Sequence, residues 1–196
     1  MLAGSKEVLY LIYGQLSLFT GVIICILILP KGLIVNEGVS YYGVHSRTII
    51  PFVTTFVISV WFIFLAAKNF SIQYPFWVIR DELYIDIVLM LIIMVTPFND
   101  GRLVGDVHVL AGILLFSLQF ILAIWLGLVI FRNYLNSILL FLLTITGLLS
   151  FYYNEIAHGY LIEGQLLFQL IFGIFLIRVL FQLNTQISSN NKILID

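Results

Sequence analysis

Six apolar stretches separated by short polar ones set the pattern of the chain. They cover residues 8–29, 49–67, 77–96, 108–131, 135–153 and 165–183. A helix needs ~20 apolar residues to cross a bilayer, and each stretch approaches or exceeds that length. The pattern predicts an all-α polytopic membrane protein: one six-transmembrane-helix domain over residues 1–183, followed by a polar, frayed C-terminal tail at 184–196. The connections are short, which makes consecutive helices antiparallel neighbours.

Local signals place the boundaries. The stretch 8–29 is too long for a signal-peptide core, and no small-x-small cleavage site precedes Pro30, so it reads as a retained helix. Pro51 falls in the first turn of the second span, where a missing N–H costs little. Pro97 closes the third span, and Asp86 falls roughly a turn inside it. Asn36, Gly38 and Gly43 are turn formers in the loop 30–48. Between them Val39-Ser40-Tyr41-Tyr42 is read as a short strand or as a stretch lying at the membrane interface, where tyrosine suits the mixed environment.

Composition supports this pattern. The chain is 62% hydrophobic and 10% charged, with a mean hydropathy of +1.13. A soluble domain carries about 25% charged residues. A net charge of -1 argues against a nucleic-acid partner. A single cysteine, Cys25, allows neither an intramolecular disulfide nor a thiolate cluster.

Alternation assigns sides. Lys6, Lys68, Arg80, Arg132, Arg178 and Lys192 fall on one side, and Lys31, Arg47 and Arg102 on the other. The richer side is expected to be cytoplasmic, with both termini inside and the protein in the plasma (inner) membrane. The other side then collects all three histidines, His45, His108 and His158, with Glu37, Asp100, Asp106, Glu155 and Glu163. Histidines and carboxylates at one depth are the groups that acid–base chemistry on a lipid headgroup or ester would use. They are also groups that could hold zinc with an open water position. No His-Glu-x-x-His, Gly-x-Ser-x-Gly or closely spaced histidine pair marks such a site, so no cofactor is predicted. Histidines on one face alone do not match di-haem membrane cytochromes, which place pairs at both.

Asp86 is the charge expected inside the membrane. A buried acid is a functional hypothesis by default. The structural alternative pairs it with Arg80, Arg132 or Arg178 at the same depth.

Three further features carry a family resemblance. The first outer loop reads Gly38-Val39-Ser40-Tyr41-Tyr42-Gly43, with Pro51 opening the next helix. Span four begins His108-Val109-Leu110-Ala111-Gly112, and span six begins at Glu163. This pattern resembles the FRAG/DRAM/SFK group of six-helix membrane proteins and a related prokaryotic six-helix family. The resemblance implies lipid-related work: remodelling of glycolipid anchors, control of phospholipid distribution, or lysosomal and autophagic roles. Tyr41 stands where the group often has an acid.

Three functional expectations follow. The first is lipid handling or modification in an outward pocket. His108, Glu163 and His158 would be catalytic there, with Ser40, Tyr42, His45 and Glu155 binding substrate, membrane lipids being the partner. The second is a non-enzymatic accessory, sensor or scaffold subunit that meets other membrane subunits through the surface near Trp61, Phe116 or Trp125. The third is a small transporter or channel with Asp86, Gln119, Gln15 and Gln169 as its polar interior.

Overall fold

A computed structural model describes residues 5–35, 37–152 and 161–193. Six long helices make up the described chain: α1 Ser5–Ile28, α2 Ile49–Asn69, α3 Phe76–Val95, α4 Arg102–Ile124, α5 Tyr134–Tyr152 and α6 Leu161–Ile193. A π-helical turn, Trp125–Ile130, extends α4. Two 3-10 turns, Pro30–Ile34 and Val39–Gly43, fold the loop between α1 and α2. Val39–Tyr42 is thus a 3-10 turn rather than a strand. Gly38 before it takes φ +62, the left-handed region that lets the chain turn so tightly.

Five helices are long and apolar enough to cross a membrane, with mean hydropathy between 1.8 and 2.6. They are α1, α2, α4 with its π turn, α5 and α6 through Thr185. The helix left out is α3, which carries Arg80, Asp81, Glu82 and Asp86. Large apolar side chains face outward around the bundle, Leu27 and Ile50 among them at 75% and 73% exposure. A lipid-facing surface accommodates them at no cost.

Two boundaries differ from the sequence expectation for one reason. Hydropathy marks where a helix lies in lipid, and a helix need not end at that surface. α4 starts at Arg102, directly after Gly101 at φ 86, so His108 lies nearly two turns inside rather than at the helix head. α6 has 33 residues, about 50 Å of helix, and continues through much of the segment expected to be a frayed tail. Asp86 sits halfway along α3 rather than one turn inside it.

Consecutive helices pack side by side, α6 closes the ring against α1, and α6 also reaches across to α4. The α1–α2 seam is the most extensive. Inside lipid the seam gains nothing from excluding water, so close packing and interhelical hydrogen bonds must hold it. Ser59 Oγ donates to the Gly14 carbonyl at 2.9 Å, and Ser17 Oγ donates to the Thr55 carbonyl at 3.1 Å. Gly21 lies so close to Thr55 that a Cβ there would fall 1.9 Å from Thr55 Oγ1.

The π turn is stabilised at its end. Phe131 N–H donates to the Leu126 carbonyl at 2.8 Å, and the Phe131 carbonyl accepts from Asn136 Nδ2 at 2.9 Å. Asn136, fully buried, also accepts from Arg178 Nε at 3.0 Å and donates to Gln182 Oε1 at 3.2 Å.

Candidate functional site

The 3-10 turn Val39–Gly43 is the element that builds the site, and three helices fasten it. From α6, Gln165 Oε1 accepts the Val39 N–H at 2.9 Å. A Cβ on Gly38 would strike that same amide at 2.6 Å, so this position needs glycine for space as well as for φ. Ahead of α2, Thr48 Oγ1 donates to the Tyr42 carbonyl at 2.8 Å, and Cys25 Sγ of α1 contacts the Thr48 carbonyl at 3.7 Å. Tyr42 is fully buried beneath Gly32, its hydroxyl without a hydrogen bond among the described residues. Burial pushes its phenol up to about 12, with Cys25, Glu163 and Tyr41 adding to the shift. Tyr42 is therefore a pillar under the turn and lines no open surface.

The same turn presents Ser40 to α4. His108 Nε2 lies 2.7 Å from Ser40 Oγ, and His108 Nδ1 lies 2.5 Å from the Thr96 carbonyl. A carbonyl only accepts, so Nδ1 carries the hydrogen. With the hydrogen on Nδ1, a ring carrying no second proton offers its Nε2 lone pair to the serine hydroxyl. His108 is 9% exposed, while Ser40 is half-buried and stands in front of it. Phe98 meets the imidazole edge-on at 6.1 Å. Beside the pair is a cavity of about 20 Å³, walled also by Phe52, Val53, Ile93, Met94, Pro97 and Phe98. That is room for about one water molecule. A serine, a histidine base and a third group that orients the base are the parts of an activated nucleophile.

The other expected site residues are distributed around this pair. His45 folds back locally: its Nδ1 lies 2.7 Å from the Tyr41 carbonyl and its ring 4.0 Å from the Tyr41 ring. Glu163 lies near enough to Tyr42 to act on it electrostatically, and its Oε2 is buried without a hydrogen bond among the described residues. The group that orients the His108 ring is the Thr96 carbonyl, which the sequence did not single out. Glu155 and His158 lie outside the described residues. Among those described, no three His, Cys, Asp or Glu side chains gather as a metal site would require.

A second polar group lies deeper in the bundle. Asp86 Oδ2 accepts from Gln119 Nε2 at 2.9 Å, and Gln119 Oε1 accepts from Gln169 Nε2 at 2.8 Å. This chain joins α3, α4 and α6. Glu82, one turn before Asp86, presents its carboxyl to the Asp86 carboxyl. Two of the three expected arginine partners are engaged elsewhere, Arg80 with Asp81 at 2.8 Å and Arg178 with Asn136, and the third, Arg132, is exposed. Gln15 is separate from the chain and packs where α6 has Gly173. Glu82 falls inside the apolar stretch 77–96, and the sequence alone does not single it out. The signal missed was its spacing of four from Asp86, which sets both on one helix face.

Of the surface aromatics, Trp61 is 57% exposed, whereas Phe116 packs on Phe168 at 5.0 Å and Trp125 on Tyr74 at 5.9 Å.

No known family, curated protein or solved structure matches the chain.

Proposed function

We propose that this is a six-span integral membrane protein that modifies membrane lipids by acyl transfer, with Ser40 as nucleophile and His108 as its base. The observation that carries the reading is the 2.7 Å approach of His108 Nε2 to Ser40 Oγ, with Nδ1 held by a backbone carbonyl. In the proposed reaction Ser40 Oγ attacks an ester carbonyl and its proton passes to His108 Nε2. The same proton then goes to the departing alcohol, leaving an acyl-serine. Water, or a second hydroxyl, takes the acyl group and returns the proton by the same route.

The substrate class is argued from placement. The pair sits at one end of a bundle whose outer surface is apolar, among side chains such as Phe52, Val53 and Met94 that suit an acyl chain. A lipid ester presents its carbonyl at the boundary between headgroup and chain, the depth of a loop-end site. The resemblance to the FRAG/DRAM/SFK group points to the same lipid field.

α3 completes the proposed topology as the sixth span. Its 20 residues give about 30 Å of helix, the thickness of a hydrocarbon core. The charge bias of the loops supports both termini in the cytoplasm of a plasma-membrane protein, with Ser40 and His108 at the outer leaflet.

The test is a lipid profile of membranes expressing the wild type, S40A or H108Q at matched levels. The reading expects the same acyl-bearing lipid species to change in both variants. Profiles identical to wild type in both would sink it.

A further inference from the structure

The acyl-transfer reading makes no use of the polar chain in the middle of the bundle. Glu82 is 8% exposed, Asp86 2% and Gln119 5%, and all lie on inward faces of their helices. Counting along α3, Asp86 is ten residues from Thr96, about 15 Å at helical rise, so the chain is well separated from His108.

Three carboxyl oxygens there have no hydrogen-bond partner among the described residues: Asp86 Oδ1 and both oxygens of Glu82. Asp86 Oδ2 is held by the Gln119 amide, and Gln119 is oriented in turn by Gln169. The amides thus fix one Asp86 oxygen as an acceptor and leave the other facing Glu82. Neither acid forms an ion pair among the described residues.

The charged groups nearby do not supply one. On α3, Arg80 is bound to Asp81. On α2, Lys68 is exposed in the last turn of the helix. On α4, His108 is bound to Ser40 and Thr96, and on α6, Arg178 is bound to Asn136. The groups that act on the pair are each other and Gln119. Two carboxyls face to face, without a cation and out of water, satisfy their lone pairs most simply with a hydrogen between them.

We propose that Glu82 and Asp86, aligned by Gln119 and Gln169, form a proton-binding site in the core of the bundle. Glu82 is the member that no amide holds among the described residues. Asp86 is the anchored one. A proton held between them can pass from one to the other by a side-chain rotation of Glu82.

The experiment uses full-length protein in lipid nanodiscs, with two readouts. Infrared difference spectra between light and heavy water should show the carbonyl band of an un-ionised carboxylic acid in the wild type. That band should be lost in E82Q and in D86N. Dicyclohexylcarbodiimide, an apolar reagent, adds a carboxyl O–H across one C=N bond, oxygen to carbon and proton to nitrogen, and rearranges to a stable N-acylurea. Mass spectrometry should find it on Glu82 or Asp86 in wild type and on neither position in the double variant. E82Q keeps a donor beside Asp86 and matches the volume of the original side chain, so it serves as the test if D86N fails to fold. Spectra of wild type and E82Q that superimpose, both proteins being helical and monodisperse, would overturn the proposal. So would carbodiimide labelling blocked by sodium chloride but not by choline chloride, which would give the site to a metal cation.

Discussion

Ser40 and His108 are 68 residues apart in sequence, and their Oγ and Nε2 atoms are 2.7 Å apart in the fold. The contact joins the loop between α1 and α2 to α4. It has two consequences that separate on mutation, because a hydrogen bond tethers the loop whereas a base moves a proton.

The first prediction uses that separation. In H108Q the amide can still hydrogen-bond Ser40, so the loop tether survives in part. Loss of a general base costs about 10²–10⁴ in rate. Acyl transfer should therefore fall by that order, while thermal unfolding in detergent moves by about 1 kcal/mol or less. H108A, which keeps neither function, should lose both activity and stability.

A second prediction concerns alkaline stability. Tyr42 holds its phenolic proton up to about 12, against an ordinary value of 10.0. The folded state favours the neutral form, so this contribution is fully present below pH 10.0 and is lost as pH rises from there to about 12. The loss is on the order of 2 kcal/mol for a shift of this size. Y42F should flatten the fall in unfolding temperature between those two pH values. It should also cost little at neutral pH, since the Tyr42 hydroxyl has no hydrogen-bond partner to lose among the described residues.

How far the sequence reveals this fold depends on which physical signal each feature leaves. The helices are legible because a membrane span must be long and apolar, and that rule is nearly independent of packing. The start of α4 at Arg102 is not, because its first two turns carry Arg102, Asp106 and His108 and read as loop. Topology was enough to put Ser40 and His108 on the same side. It could not show that Val39–Gly43 winds into a 3-10 turn that aims Ser40 at the imidazole, since that depends on Gln165 and Thr48 gripping the turn from other helices. Tyr42 illustrates the opposite error. A tyrosine in a polar loop reads as a binding residue, and only the packing of Gly32 above it shows a buried pillar.

A third prediction addresses the α1–α2 seam. G21A introduces a Cβ 1.9 Å from Thr55 Oγ1, which forces the two helices apart. Overpacking of this kind typically costs about 1–3 kcal/mol. The unfolding temperature should drop, and cysteine cross-linking across the seam near Ser17 and Thr55 should weaken. A substitution at Gly112, where an added Cβ meets nothing within 4 Å, should leave both unchanged.

A fourth concerns the end of the π turn. Asn136 satisfies the Phe131 carbonyl and receives the Arg178 side chain in a fully buried position. N136L leaves both without that partner, and an unsatisfied buried polar group costs about 1–3 kcal/mol. Unfolding should shift by at least that amount. N136D, which keeps the acceptor for Arg178, should recover part of it.

The most direct test of the Ser40–His108 claim is labelling with a fluorophosphonate, which forms a covalent bond only with an activated serine. The account predicts one labelled residue in the wild type, Ser40, with labelling abolished in S40A and strongly slowed in H108Q. Wild-type protein that folds and stays unlabelled, or labels equally in H108Q, would contradict it.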